Sequence, residues 1–364
     1  MSNLHAVAAA GQSIWSDQIS RPMLDSGELQ RRIEDDAVTG VTSNPSIFAK
    51  AIVGTGDYDD QLGELIDRDA STKEIVGTLM AADLQRACDA LHPVWERTQG
   101  RDGHVSVEVD PELAHETEKS IAEAREWVKR IDRPNLLVKI PATPAGTPAI
   151  AALIGEGISI NVTLIFSLER YRQVMDAYLT GLESFRDVGG DISKVASVAS
   201  FFVSRVDSEV DRRLDAIGTD EARSLRGKAA IANALAAYDE FLHAFRGPRW
   251  ESLAADGARI QRPLWASTST KDPEYPDTMY VDALVAPHTV NTMPLETIDA
   301  YQAHGNPSPV IFGPAETAAA RVSLRELGDA GVDYDDVVQT LEDEGVDKFI
   351  GAWRDLLEDI ESQR

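Results

Sequence analysis

The chain has 364 residues, of which 35 are Lys or Arg and 61 Asp or Glu, a formal net charge of −26, with 43% hydrophobic residues and one cysteine. That charge repels phosphate backbones and anionic membranes over the whole surface, so neither nucleic acid nor membrane is an expected partner. Cys88 has no second cysteine to pair with, the start MSNLHAVAAAGQSIWSD lacks a basic segment followed by an apolar one, and no window nears about 18 uninterrupted apolar residues; a cytoplasmic location is the expectation.

In chain order, the first β-rich run is Ser13–Asp17, followed by a helix whose start reads as a capping box of Asp25 and Glu28 before Leu29 and Ile33. A second strand, Ala37–Thr42, leads into Ser43-Asn44-Pro45-Ser46, a turn with proline near the first helical position. Strands follow at His104–Val109, Asn135–Ile140 and Ile158–Ile165. Ser167 is placed to cap a helix with a stripe of Tyr171, Val174, Met175, Tyr178, Leu182 and Phe185. After a sixth strand, Val195–Phe202, a helical stretch opening at Thr219 carries Ile231, Leu235, Tyr238, Leu242 and Phe245. Pro263–Ser267 and Tyr280–Ala286 complete eight predicted strands, and helices are predicted near Leu295–Ala303, Glu316–Leu327 and Tyr334–Ser362. Strands alternating with helices, and no Gly-rich phosphate turn after the first, predict an α/β protein, a (β/α)8 TIM barrel with additional C-terminal helices. It reads as one barrel domain over residues 1–364, with 305–364 as appended helices on its exterior, across its mouth or into a partner.

Reactive groups of such barrels sit at the C-terminal ends of the strands, and here those ends are polar. Asp17 ends the first strand, Thr42 and Asn44 the second, Ser106 and Glu108 the third, Lys139 the fourth, and Asn161 and Thr163 the fifth. Ser200 and Arg205 follow with the sixth, at its end and just beyond it, and Ser269 and Lys271 after the seventh. Period-two spacing sets Ser106 with Glu108 on one face, and Asn161 with Thr163 on another. Lys139 stands in the apolar run Leu136-Leu137-Val138-Lys139-Ile140. It is either an edge-strand gatekeeper or a desolvated amine able to form a Schiff base. Lys228 reads as a solvated helix face. Asp17 and Glu108 could move protons for a Schiff-base reaction, or be ordinary turn and cap residues. Arg205 and Lys271 read equally as a phosphate clamp or as ion-pair partners, Arg205 with Asp207. The chain carries no P-loop, GxSxG, HExxH or CxxC, and its seven His are scattered, so no metal site is expected.

Several segments resemble one family. GVTSNPSIF (Gly40–Phe48), VSVEVDP (Val105–Pro111), NLLVKIPAT (Asn135–Thr143), GISINVTLIFS (Gly157–Ser167) and SFFVSRVD (Ser200–Asp207) look like transaldolase. RPLWASTSTKDP (Arg262–Pro273) and DALVAPHTVNTMP (Asp282–Pro294) look like its longer, actinobacterial type, and the likeness runs over about residues 11–304. The resemblance implies a class I Schiff-base enzyme, without cofactor, acting on sugar phosphates as monomer or homodimer. It implies Lys139 as the Schiff-base lysine, Asp17 as the acid/base of C–C cleavage, and Glu108 as a proton shuttle through a water shared with Thr163. Thr42, Asn44, Ser106, Asn161 and Ser200 would bind substrate hydroxyls, and Arg205 and Lys271 the phosphate, with Ser269 assisting. Shorter transaldolases have arginine where Lys271 aligns, and related aldolases that release free dihydroxyacetone have tyrosine where this chain has Phe202. That difference implies a transferase rather than a lyase.

Overall fold

The computed structural model describes residues 2–308 and 313–363. Eight parallel strands pair in sequence order, β1 (Gln12–Ser16), β2 (Val38–Thr42), β3 (His104–Glu108), β4 (Leu136–Pro141), β5 (Ile160–Ile165), β6 (Ser197–Phe202), β7 (Arg262–Ala266) and β8 (Thr289–Met293). The last pairs with the first, so the sheet closes into the (β/α)8 barrel that the alternation of elements predicts. Every residue of β3 to β8 is buried, because one set of side chains packs under the helices and the alternate set fills the interior. The register sets Glu108 abreast of Lys139, and Lys139 abreast of Asn161.

Three local expectations are corrected. Tyr280–Ala286 is not the eighth strand: Met279–Ala283 is a short helix, Tyr280 and Val281 are buried, and the Tyr280 hydroxyl donates to Asp207 at 2.9 Å. The strand is Thr289–Met293, between Pro287 and Pro294. A short apolar run reads alike as strand or buried helix, while the true strand spends Thr289, Asn291 and Thr292 on polar positions that hydropathy passes over. The capping box of Asp25 and Glu28 does not form. Ser20 caps Arg21–Asp25, the next helix (Glu28–Asp35) follows Gly27 at φ 75°, and Asp25 instead meets Arg86 at 2.6 Å. Thr219 caps only Asp220–Arg223; the apolar stripe belongs to a separate helix, Ala229–Ala244, after a turn at Gly227 with φ +69°.

Caps that hold explain how two site loops leave the barrel. Asn44 accepts the Ile47 N–H at 3.0 Å, with Pro45 first in the helix Pro45–Ile52, and Ser167 accepts the Arg170 N–H at 3.0 Å. Gly40 on β2 faces the buried indole of Trp15, where a Cβ would overlap the ring. Trp15 cannot yield, because its Nε1 donates to Asp102 at 2.7 Å. Gly40→Ala is therefore expected to destabilise the fold by about 1–3 kcal/mol, seen as a lower urea midpoint.

Leu295–His304 follows β8, and the appended helices are Pro314–Asp329 and Tyr334–Glu361. Pro314–Asp329 packs on Ala229–Ala244. The last contacts Pro45–Ile52, Thr72–Arg97, Ser204–Ile217 and β5, which brings it over the C-terminal mouth. Gly345 permits the close approach, since its Cβ would stand 3.0 Å from Leu164.

Candidate active site

Lys139 lies on β4 between β3 and β5, so it has no edge to guard and the gatekeeper reading falls away. Only 5% of it is exposed. Its Nζ donates to Glu108 Oε2 at 2.8 Å and to the Ser43 carbonyl at 3.0 Å, and stands 5.8 Å from the Phe349 ring centroid. Burial pushes the Glu108 carboxyl upward, opposed by Lys139 and Arg205. A buried amine touching a carboxyl held above its usual range is a pair that can exchange a proton.

Beside it runs a polar relay across three strands. Asn161 Nδ2 donates to Ser106 Oγ at 3.0 Å, and Ser200 Oγ donates to Asn161 Oδ1 at 2.8 Å. Thr42, abreast of Ser106, shares a 2.9 Å hydrogen bond with Thr292 of β8. Thr163 is buried, and its hydroxyl has no partner among the described residues. The next residue, Leu164, has φ +59° where the β5–β6 register shifts, an irregularity that sets the direction of the strand end. Asn44 commits its side-chain oxygen to the helix cap, and lines a small void with Glu108 and Trp353.

The cations lie on the other side of the mouth. Arg205 does not pair with Asp207, which accepts instead from the Ala230 N–H at 2.7 Å and from Tyr280. Its Cζ lies 5.1 Å from the Phe202 ring centroid, and its Nη1 is buried with no partner among the described residues. Lys271 donates to Ser269 at 2.6 Å. Burial lowers both cations; for Lys271 the Asp17 charge works against this, while Arg205 and Lys50 add to it. Asp17 follows β1, anchored by its N–H to the Met293 carbonyl at 3.0 Å. It keeps some contact with solvent, yet the crowding of the mouth raises its pKa to about 6, burial being the largest cause and Lys271 the main opposing one. Lys228 is exposed at a helix start.

Sequence reasoning missed the Ser43 carbonyl, Lys50, Thr292, Phe349 and Trp353. Thr292 was concealed by the misplaced eighth strand. Phe349 and Trp353 carried a signal, their i, i+4 spacing on the last helix, but nothing local says which surface that face meets.

A closed parallel barrel with a buried amine, ionisable carboxyls and unpaired cations converging on its C-terminal mouth has the layout of a barrel enzyme. A family model described as Transaldolase/Fructose-6-phosphate aldolase matches residues 14–360, and the chain belongs to that family. It is 54% identical over 361 residues to the transaldolase of Mycobacterium tuberculosis, covering 98% of this chain and 96% of that one. Transaldolases of Mycolicibacterium paratuberculosis and Mycobacterium marinum are each 53% identical over 365 residues, covering 99% of this chain and 97% of theirs. Among the described residues, no helix is long and apolar enough to cross a membrane.

Proposed function

We propose that the chain transfers a dihydroxyacetone unit from sedoheptulose 7-phosphate to glyceraldehyde 3-phosphate, giving erythrose 4-phosphate and fructose 6-phosphate, through a Schiff base on Lys139. In this reading it is a cytoplasmic transferase of the non-oxidative pentose phosphate pathway, and residues 1–364 act as one domain. The observation that carries it is the 2.8 Å contact of the buried Lys139 amine with Glu108, whose carboxyl burial holds upward. Glu108 takes the ammonium proton and frees the amine lone pair, which attacks the ketose carbonyl carbon. The carbinolamine hydroxyl then leaves as water with a proton returned from Glu108, by way of a water held also by the unpartnered Thr163 hydroxyl. Asp17, as carboxylate, takes the proton of the hydroxyl beyond the scissile bond as that bond breaks. The aldose departs, and the electron pair remains as an enamine on Lys139. Addition of the acceptor aldehyde and hydrolysis reverse these steps. Thr42, Asn44, Ser106, Asn161 and Ser200 bind hydroxyls, while Arg205, Lys271 and Ser269 hold the phosphate.

Borohydride reduction in the presence of fructose 6-phosphate tests this. A dihydroxyacetone-derived adduct mapped to Lys139 is expected; folded protein without an adduct would sink the mechanism. Phe202 bears on transfer against release. Its ring, beside Phe166 at 5.1 Å between centroids, offers no hydroxyl to position water at the imine. Phe202→Tyr is expected to raise free dihydroxyacetone release from fructose 6-phosphate about tenfold or more, measured without acceptor. Unchanged release would remove Phe202 from the selectivity argument.

A further inference from the structure

The N-terminal end of the barrel, opposite the candidate active site, holds a cavity of about 710 Å³ whose walls include Arg97, Arg101, Arg259, Arg262, His104 and His288. No carboxylate lines it among the described residues. In a chain with a net charge of −26 this needs an explanation. Elsewhere arginines are neutralised by neighbouring acids, as in Arg21 with Asp83 at 3.1 Å, Arg133 with Asp89 at 2.6 Å and Arg321 with Glu240 at 2.9 Å. Here they are not. Arg97 and Arg101 are exposed, and neither side chain meets a carboxylate within ion-pair distance among the described residues. Arg259 gives its guanidinium to the carbonyls of Gln99 and Gly100. Arg262 is 3.6 Å from Asp102, whose two oxygens already accept from Ser13 and Trp15.

Two of the cations, Arg259 and Arg262, are held in place by hydrogen bonds, beside the exposed Arg97 and Arg101. Arg97 ends the helix Thr72–Arg97 and Arg101 lies in the turn after it. Gly100, at φ +75°, has no Cβ, which lets the Arg259 guanidinium lie against it; a Cβ there would be 2.6 Å from Nη1. Arg262 is buried and donates to Ser13 Oγ at 2.7 Å and to the Arg101 carbonyl at 2.9 Å. Guanidinium forks suit phosphoryl oxygens, and the exposed Arg97 and Arg101 beside the anchored Arg259 call for more than one negative charge. The volume falls within the roughly 300–1,000 Å³ of small-molecule sites, and the chain's net charge of −26 opposes a long polyanion.

We propose that this cavity binds a small metabolite carrying two or more phosphoryl groups. Calorimetric titration with inorganic pyrophosphate tests the proposal, using the full chain in four forms: wild type, Arg205→Ala, Arg97→Ala/Arg101→Ala, and the triple variant. Arg205→Ala removes a cation of the opposite mouth, so binding there and binding here are separable. Pyrophosphate is expected to bind Arg205→Ala at one site per chain, and to bind the triple variant at least about tenfold more weakly than Arg205→Ala, with unchanged circular dichroism. Arg97→Ala/Arg101→Ala should retain the turnover of wild type. Should Arg205→Ala fail to fold, the loss of one bound pyrophosphate per chain in Arg97→Ala/Arg101→Ala relative to wild type decides alone. An unchanged stoichiometry in that pair, or binding that vanishes in folded Arg205→Ala, would overturn the proposal.

Discussion

Lys139→Met is expected to cut turnover by at least about 10³-fold and to abolish the borohydride-trapped adduct, because it removes the nucleophile while keeping a flexible side chain of similar length. The fold should survive. Glu108 then loses the ammonium that now draws its pKa down, so its carboxyl, already raised by burial, moves further up and is buried as the neutral acid. The Phe349 ring, 5.8 Å from the present Nζ, offers an apolar wall to the thioether. Folded Lys139→Met with substantial transfer activity would show that the lysine is only structural. The barrel would then be a non-catalytic one, or its chemistry would lie elsewhere.

Asp17→Asn separates the steps. Imine formation needs the amine and Glu108, whereas cleavage needs a carboxylate to accept the hydroxyl proton, so the variant should still give a trapped adduct while turnover falls by about 10²–10⁴-fold. The wild-type rate of cleavage should fall with acid below a pH of about 6, the Asp17 value, as the carboxylate becomes protonated. The effect on stability has the opposite sign. A carboxyl whose folded pKa lies above its unfolded one favours folding at low pH, and this advantage is lost as pH rises through about 6. At pH 7 the neutral amide therefore avoids the cost of a charge in the crowded mouth, and Asp17→Asn should be more stable than wild type by about 1–3 kcal/mol in urea denaturation. Stability gained with cleavage lost is the mark of a site held against folding. A variant that cleaves at the wild-type rate would remove Asp17 from the mechanism.

Legibility in the sequence followed the range of the forces involved. Seven strands and the long helices could be read because β-branched runs between turn residues, and stripes at helical spacing, report the burial of their own segment. β8 could not, since its Thr and Asn face polar partners contributed by β1, β2 and the loop after β7; Thr289 meets Gln12, Thr292 makes sense only beside Thr42, and Asn291 only beside Thr268. The site was legible as a set of strand ends, because closing a parallel barrel turns all of them to one mouth. Lys139 stood out since a charge within an apolar strand is costly wherever the strand lies. Sequence left open whether Lys139 guards an edge and whether Arg205 pairs with Asp207, as both depend on neighbours far along the chain.

Local periodicity and motif were enough to give the barrel class, the family and the strand ends that meet at the mouth. Only the tertiary structure decided that the last helix covers the mouth with Phe349 and Trp353. It also brought arginines from positions 97, 101, 259 and 262 around one cavity at the barrel's other end. Residues about 160 positions apart meet there because strand closure overrides distance along the chain, and apart from the Arg262–Asp102 pair no carboxylate among the described residues lines that wall.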